Sequence, residues 1–224
     1  GSGVSVNIAG ITKSSLIDYP NLVACVLFTA GCSYDCFYCH NRALLSTSTT
    51  LPEEEIMAFL KKRAGQLDGV VISGGEPTLQ PDLERFCGAV KALGYRIKLD
   101  TNGSAPDMVD LLIRKHLIDY VAIDYKAPAR RYREICGADA DATHVHQTIR
   151  RVASLCVPYE LRTTKAPTLD QKDFATMREE IAKIVYVLPP WRWNEYRIPE
   201  VYKPEDRARI HASHSCRKPE TSRG

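Results

Sequence analysis

The chain has 224 residues, 44% of them hydrophobic, enough to bury a sizeable core and consistent with one domain of α/β-barrel size. A formal net charge of +3 is too small to suggest a nucleic-acid partner, and no apolar run approaches the ~20 residues of a membrane span. The opening residues lack a charged segment followed by an apolar one, so no secretion signal is expected, and Gly1-Ser2-Gly3 reads as a cloning remnant.

Apolar, β-rich runs alternate with helical patterns along the chain. The first strand is expected at 22–29, followed by a cysteine-rich loop and a helix over 53–64, where Ile56, Phe59, Leu60 and Ala64 recur at helical spacing. A strand at 70–73 precedes a helix at 81–93 that carries Leu83, Phe86, Val90 and Leu93 on one face. The series continues with strands at 95–100, 120–125, 159–163 and 184–188, and helices at 107–116, 142–155 and 172–183. Strand followed by helix, repeated, means parallel strands with right-handed crossovers. Six such units fall short of the eight that close a full barrel, so an open, partial (β/α)6 barrel is expected over residues 1–202, with 203–224 a polar, basic surface tail. In barrels of this kind the site is assembled on the loops that follow the strands.

The loop after the first strand holds Cys32, Cys36 and Cys39, with His40 directly behind. This spacing brings three thiolates to one centre and withholds a fourth. An iron-sulfur cube normally takes four protein thiolates, so three leave one iron open to a ligand from outside the protein. A zinc knuckle with His40 as fourth ligand, or a group of packed thiols, is the alternative. Zinc sites commonly use ligand pairs separated by a longer loop. The remaining five cysteines, Cys25, Cys87, Cys136, Cys156 and Cys216, are scattered singly and read as packing residues. Clustered cysteine in a chain of this size points to metal or catalysis in a reducing cytoplasm rather than to a disulfide framework.

Polar motifs close the other strands. Ser73-Gly74-Gly75-Glu76-Pro77 offers backbone that can approach a ligand closely and, in Glu76, an acceptor suited to an ammonium group, although an ordinary turn explains it too. Asp100-Thr101-Asn102-Gly103 and Asp124-Tyr125-Lys126 follow at neighbouring strand ends. Period-two alternation sets Asp100 on a face with Lys98 and Arg96, and Asp124 with Tyr120, Ala122 and Lys126. Asp-Thr-Asn-Gly is also common turn chemistry. Arg162, within the strand at 159–163, suits a carboxylate or a ribose oxygen, or else pairs with Glu160 or a strand aspartate.

Taken together, Cys32-x3-Cys36-x2-Cys39, Gly74-Gly75-Glu76-Pro77, Asp100-Thr101-Asn102-Gly103 and Asp124-Tyr125-Lys126 resemble the radical S-adenosylmethionine superfamily. Within it the chain is similar to the glycyl-radical-enzyme activases. The stretches 10–20 and 39–41 are most similar to anaerobic ribonucleoside-triphosphate reductase activating proteins, and pyruvate formate-lyase activating enzyme shares several of the motifs. The resemblance implies a [4Fe-4S] cluster held by Cys32, Cys36 and Cys39 as the reaction centre, with S-adenosylmethionine chelating the open iron. It implies that Gly74, Gly75 and Glu76 hold the methionine amine, that Tyr38, His40 and Asn102 border the cofactor, and that Lys126 and Arg162 lie near it. Asp100, Thr101 and Asp124 would surround a monovalent cation. The implied partners are a glycyl-radical enzyme as protein substrate and a flavodoxin- or ferredoxin-type electron donor, with Asp18 a candidate contact for the partner's glycine loop. Residues 188–193 lack the adenosine-contacting histidine of pyruvate formate-lyase activase, so adenine is expected against Trp191 or apolar wall residues. A small-molecule enzyme, such as one of carboxy-deazaguanine synthase type, is the competing expectation.

Overall fold

Seven strands make one sheet in the order β1-β2-β3-β4-β5-β6-β7 in the computed structural model, which describes residues 5–196. The strands are β1 (Ile8–Ser15), β2 (Ala24–Thr29), β3 (Gly69–Gly74), β4 (Arg96–Thr101), β5 (Tyr120–Asp124), β6 (Tyr159–Lys165) and β7 (Trp191–Glu195). From β2 to β7 every neighbouring pair is parallel, while β1 runs antiparallel to β2. The two edge strands do not pair with one another, so the barrel is open along the side between β1 and β7. The helices are α1 (Glu53–Arg63), α2 (Leu83–Ala92), α3 (Pro106–Arg114), α4 (Tyr132–Cys136), α5 (Ala142–Ser154) and α6 (Gln171–Ala182). No helix among the described residues is long and apolar enough to cross a membrane.

The expected open barrel is present, with two changes at its edges. Strand β1 was not anticipated, because bulges at 8–10 and 12–15 interrupt the alternation by which a strand is recognised. The last strand lies at 191–195 rather than 184–188. Ile184–Leu188 instead form the turn out of α6, with Tyr186, Val187 and Leu188 exposed, and Pro189-Pro190 separate them from the true strand. The expected tail at 203–224, Cys216 and Gly1-Ser2-Gly3 lie outside the described residues.

Alternation along each strand divides the sheet into two faces. Cys25, Leu27, Val70, Ile72, Ile97, Leu99, Val121, Ile123 and Leu161 belong to the main core between sheet and helices. Helix α2 contributes Leu83, Phe86, Cys87 and Val90 to that core, an i, i+3, i+4, i+7 stripe. Acidic residues open α1 and basic ones close it, complementing the helix dipole, and α6 starts with a capping box between Asp170 and Asp173. The opposite, barrel-facing side is apolar on β2 and β3, where Ala24, Val26 and Val71 pack with Tyr19, and charged from β4 onward.

Candidate active site

The chain leaves β2 through Gly31, whose φ of 82° belongs to the left-handed region that glycine tolerates, and enters the cysteine loop. Buried Phe37 and Tyr38 pin the loop to the core, and Arg42 clamps it. The Arg42 guanidinium donates to the Cys36 carbonyl at 2.9 Å and to Asp35 Oδ1 at 2.7 Å. The sequence signals this arginine only by its place directly after Cys39-His40-Asn41. Cys32, Cys36 and Cys39 line one cavity of about 170 Å³ together with Tyr38, His40, Gly74, Gly75, Asn102, Asp124 and Lys126. Thr164, at the end of β6, completes its far side. Three separate strand-end motifs, distant in sequence, therefore converge on the thiols.

Gly74, which ends β3, and Gly75, which follows it, are sterically required, but by protein rather than by ligand. A Cβ on Gly74 would lie 2.2 Å from the Thr29 nitrogen, and one on Gly75 would lie 1.9 Å from the Gly31 carbonyl oxygen. The loop is laid directly on the cysteine loop, with Gly75 N donating to Thr29 O at 3.0 Å and Glu76 N to Gly31 O at 2.8 Å. Glu76 departs from the expectation that its side chain faces an ammonium group. It is fully buried and does not line the cavity. Its Oε1 accepts from Thr78 N, Thr78 Oγ1 and Thr101 Oγ1, and its Oε2 from Asn102 N at 2.6 Å. Burial raises its pKa against the pull of these donors. Glu76 is thus the tie between the second and third motifs, and Thr101 turns its hydroxyl to Glu76 rather than toward Asp100.

Asp100, Arg162, Asp124 and Lys126 form an alternating ionic chain on the barrel-facing wall. Lys98 Nζ contacts Asp100 Oδ1 at 2.6 Å, and Arg162 spans the two carboxylates, reaching Asp100 Oδ2 at 2.9 Å and Asp124 Oδ1 at 2.8 Å. Lys126 Nζ ends the chain 3.3 Å from Asp124 Oδ2. The register Asp124↔Arg162 is what sets the guanidinium between them. Burial would raise Asp124, but Arg162 and Lys126 outweigh it and lower the carboxyl to about 2. Arg162 therefore pairs with strand aspartates, whereas Glu160 takes Arg192 at 3.0 Å. Of the trio expected around a monovalent cation, Asp100 and Asp124 flank this guanidinium and the Thr101 hydroxyl is engaged elsewhere.

The thiols sit in distinct surroundings. Burial pushes Cys32 up to about 12 and raises Cys39, so a metal must displace their protons to bind. Cys32 Sγ accepts from Tyr34 N at 3.4 Å and from the Asn102 amide at 3.8 Å, and that amide also donates to Ser33 Oγ at 2.9 Å. Two buried phenolic oxygens at the cavity, Tyr34 OH and Tyr38 OH, have no hydrogen-bond partner among the described residues. Three soft thiol donors on one loop, orphaned hydroxyls and a neighbouring cation suit an iron-sulfur cluster with an external polar ligand. No three His, Cys, Asp or Glu side chains among the described residues converge on a point that would hold a single ion. His40 is exposed, its ring 6.3 Å from that of Tyr196.

Two further expectations meet different surroundings. Trp191 lies on the helix-facing side of β7, stacked on Trp193 at 4.8 Å and donating to Thr163 Oγ1 at 2.9 Å, so it cannot receive an adenine at the cavity. Asp18 sits in the turn from β1 to β2, bonded to Ser15 Oγ at 2.5 Å beside exposed Leu16 and Ile17. The pairings Ile8↔Thr29 and Ser15↔Ala24 put that turn at the opposite end of β2 from the cysteine loop, on the edge strand of the open side. Cys136, expected to be a lone packing residue, is buried with its thiol against that of Cys36.

The sequence model of the Radical SAM superfamily matches residues 26–181. A protein of Methanocaldococcus jannaschii named "Putative glycyl-radical enzyme activating enzyme" is 38% identical over 185 residues, covering 80% of this chain and 75% of its own. A "Probable GTP 3',8-cyclase" of Saccharolobus islandicus is 31% identical over 120 residues, and there the alignment spans 51% of this chain and 38% of the relative. Among solved structures, Streptococcus suis SuiB bound to precursor peptide SuiA superposes with a TM-score of 0.64 at 14% identity, over 85% of this chain and 44% of that one. The structure titled anSMEcpe with bound AdoMet gives 0.60 at 16% identity, over 81% of this chain and 55% of that one. At such identities these two likenesses concern the fold.

Proposed function

The chain belongs to the radical SAM superfamily, and from that membership we propose that this oxidoreductase activates a glycyl-radical enzyme, with anaerobic ribonucleotide reductase as its partner. Membership implies S-adenosylmethionine and a [4Fe-4S] cluster as the working groups. In this reading Cys32, Cys36 and Cys39 hold the cluster, and the cavity they share with Gly74, Gly75, Asn102, Asp124, Lys126 and Thr164 takes the cofactor. S-adenosylmethionine held there and reduced by one electron would supply the hydrogen-abstracting chemistry needed at a glycine Cα.

The protein's own part is positioning and exclusion of water. The Gly74-Gly75 backbone, held by Thr29 and Gly31, forms one wall, and Glu76 fixes that wall to the Asn102 turn. Arg162 holds the Asp124 carboxylate ionised, and Asp124 in turn places the Lys126 ammonium at the cavity. Apolar Val26 and Val71 face the barrel interior and keep that part of it dry. A radical reacts with whatever is nearest, so this fixed geometry decides which hydrogen is taken.

The observation that carries the assignment is the 38% identity to the M. jannaschii protein across four-fifths of this chain. The open side between β1 and β7 supports it, since an extended polypeptide loop needs such an entrance. Asp18, at the far end of β2 from the cysteine loop, is not placed to meet a glycine loop at the cavity; on that edge it is a candidate contact for the body of the partner, and unchanged activation by Asp18→Ala would remove it. A flavodoxin- or ferredoxin-type protein would deliver the electron in a reducing cytoplasm. The second reading, a small-molecule radical enzyme, draws support from the half-chain similarity to the cyclase, and activases of pyruvate formate-lyase are a third.

The test mixes reconstituted protein, S-adenosylmethionine, a one-electron reductant and the candidate reductase without oxygen. A glycyl doublet in the paramagnetic resonance spectrum of the reductase supports the proposal. Cofactor cleavage with no such signal on reductase or formate-lyase, accompanied by consumption of a nucleotide, would favour the small-molecule reading.

A further inference from the structure

Cys136 closes the short helix α4, and its thiol is a near neighbour of that of Cys36. Both residues are buried, at 1% and 6% exposure. Backbone fixes the meeting: Asp35 N donates to the Cys136 carbonyl at 2.9 Å. Immediately beyond, Gly137 adopts φ 103°, and a Cβ there would come within 3.4 Å of Asp35 N. Tyr34 and Tyr132 add an edge-to-face contact at 6.2 Å between the same two segments. The other buried single cysteines of the described chain, Cys25 and Cys87, lie within the apolar core. Packing alone accounts for those two, whereas Cys36 and Cys136 are buried together where the cysteine loop docks on the end of α4.

A second cavity, about 530 Å³, opens on the outer side of the cysteine loop and is lined by Cys32, Tyr34, Arg42 and Cys136. It gives a small oxidant a route to Cys136, while Cys36 is reached from the cofactor cavity, which it lines and which stands open to the oxidant in the cluster-free chain. We infer that Cys136 is a resolving thiol for Cys36, so that in the cluster-free chain the two close a reversible disulfide that keeps Cys36 from irreversible oxidation. The inference rests on reading Cys36 as a cluster ligand. With hydrogen peroxide as oxidant, the Cys36 thiolate attacks one peroxide oxygen, breaks the O–O bond, and becomes a sulfenic acid, while hydroxide leaves and takes a proton as water. The Cys136 thiolate then attacks the Cys36 sulfur, forms the S–S bond and expels a second hydroxide, protonated to water. Two thiols lose two electrons and one peroxide gains them. A dithiol reverses the bond by exchange, returning Cys36 for cluster assembly.

Cluster-free full-length protein, exposed to hydrogen peroxide, alkylated and digested without reduction, should yield a peptide pair linked through Cys36 and Cys136. Treatment with dithiothreitol should then restore iron uptake to that of unexposed protein. Cys136→Ala, whose unexposed form should take up iron as the parent does, should instead carry two added oxygens on Cys36 and stay refractory after dithiothreitol. A link from Cys36 to Cys32 or Cys39, no link at all, or equal recovery in the two proteins would overturn the inference. If unexposed parent protein takes up no iron, the cluster reading fails, while the linked peptide still judges the pair by itself.

Discussion

Replacing Glu76 by glutamine separates two roles that the sequence leaves open and the structure distinguishes. A glutamine can keep one oxygen toward Thr78 and Thr101, but its amide nitrogen then faces Asn102 N, where the carboxylate now accepts at 2.6 Å. That exchange removes a hydrogen bond to a charged acceptor, worth about 1.5 to 3 kcal/mol, and leaves an unpaired buried N–H, which costs about 1 to 3 kcal/mol. The three bonds that survive also weaken, because their acceptor becomes neutral. Relief of the buried charge works the other way, since burial already raises the Glu76 pKa. A net loss of about 2 to 4 kcal/mol follows, or roughly 5 to 15 °C in midpoint temperature for a domain of this size. Thermal unfolding of the cluster-free protein measures it directly. A Glu76→Gln protein as stable as the parent, yet unable to bind S-adenosylmethionine, would refute the reasoning and return the side chain to the ligand's amine.

Other perturbations test the remaining parts of the site. Asn102→Ala removes the amide donor from Cys32 Sγ, and a bond of about 0.5 to 1 kcal/mol corresponds to a drop of roughly 20 to 40 mV in the cluster's one-electron potential, read by anaerobic titration. Gly75→Ala drives a methyl group into the Gly31 carbonyl, so the cysteine loop should shift and iron binding fall at least tenfold while far-ultraviolet circular dichroism stays near the parent's; unchanged iron content would count against the close approach. Asp124 has its folded pKa lowered to about 2 from 3.8. Its contribution to stability is therefore present above about pH 4 and is lost as pH falls through about 2. Asp124→Asn should lack that part of the acid-induced loss, and identical acid profiles would contradict the pairing with Arg162.

Much of the barrel is legible because the signals for it are local. Apolar runs at β2 to β6 and helical stripes such as Leu83, Phe86, Cys87 and Val90 appear in the right order, and the cysteine spacing marks the loop that organises the site. What escapes is set by partners distant in sequence. Thr78 is a local donor to Glu76, but the Thr101 and Asn102 donors lie 25 and 26 residues away, so the sequence around Glu76 does not announce that both carboxylate oxygens are occupied. Cys136 lies 100 positions from Cys36, and only the docking of α4 on the cysteine loop joins them. The edges fail for a different reason. The bulges of β1 break its alternation, and the apolar 184–188 run imitates a strand while the tryptophans of β7 supply the packing against α6.

The most direct measurement of the central claim is iron content and cofactor cleavage in protein reconstituted without oxygen. The parent chain should hold about four irons, as one cube. After reduction it should release methionine and 5'-deoxyadenosine from S-adenosylmethionine, and alanine at Cys32, Cys36 or Cys39 should abolish that release. Parent protein that stays colourless and binds zinc instead, or a triple-alanine variant that still cleaves the cofactor, would contradict the account.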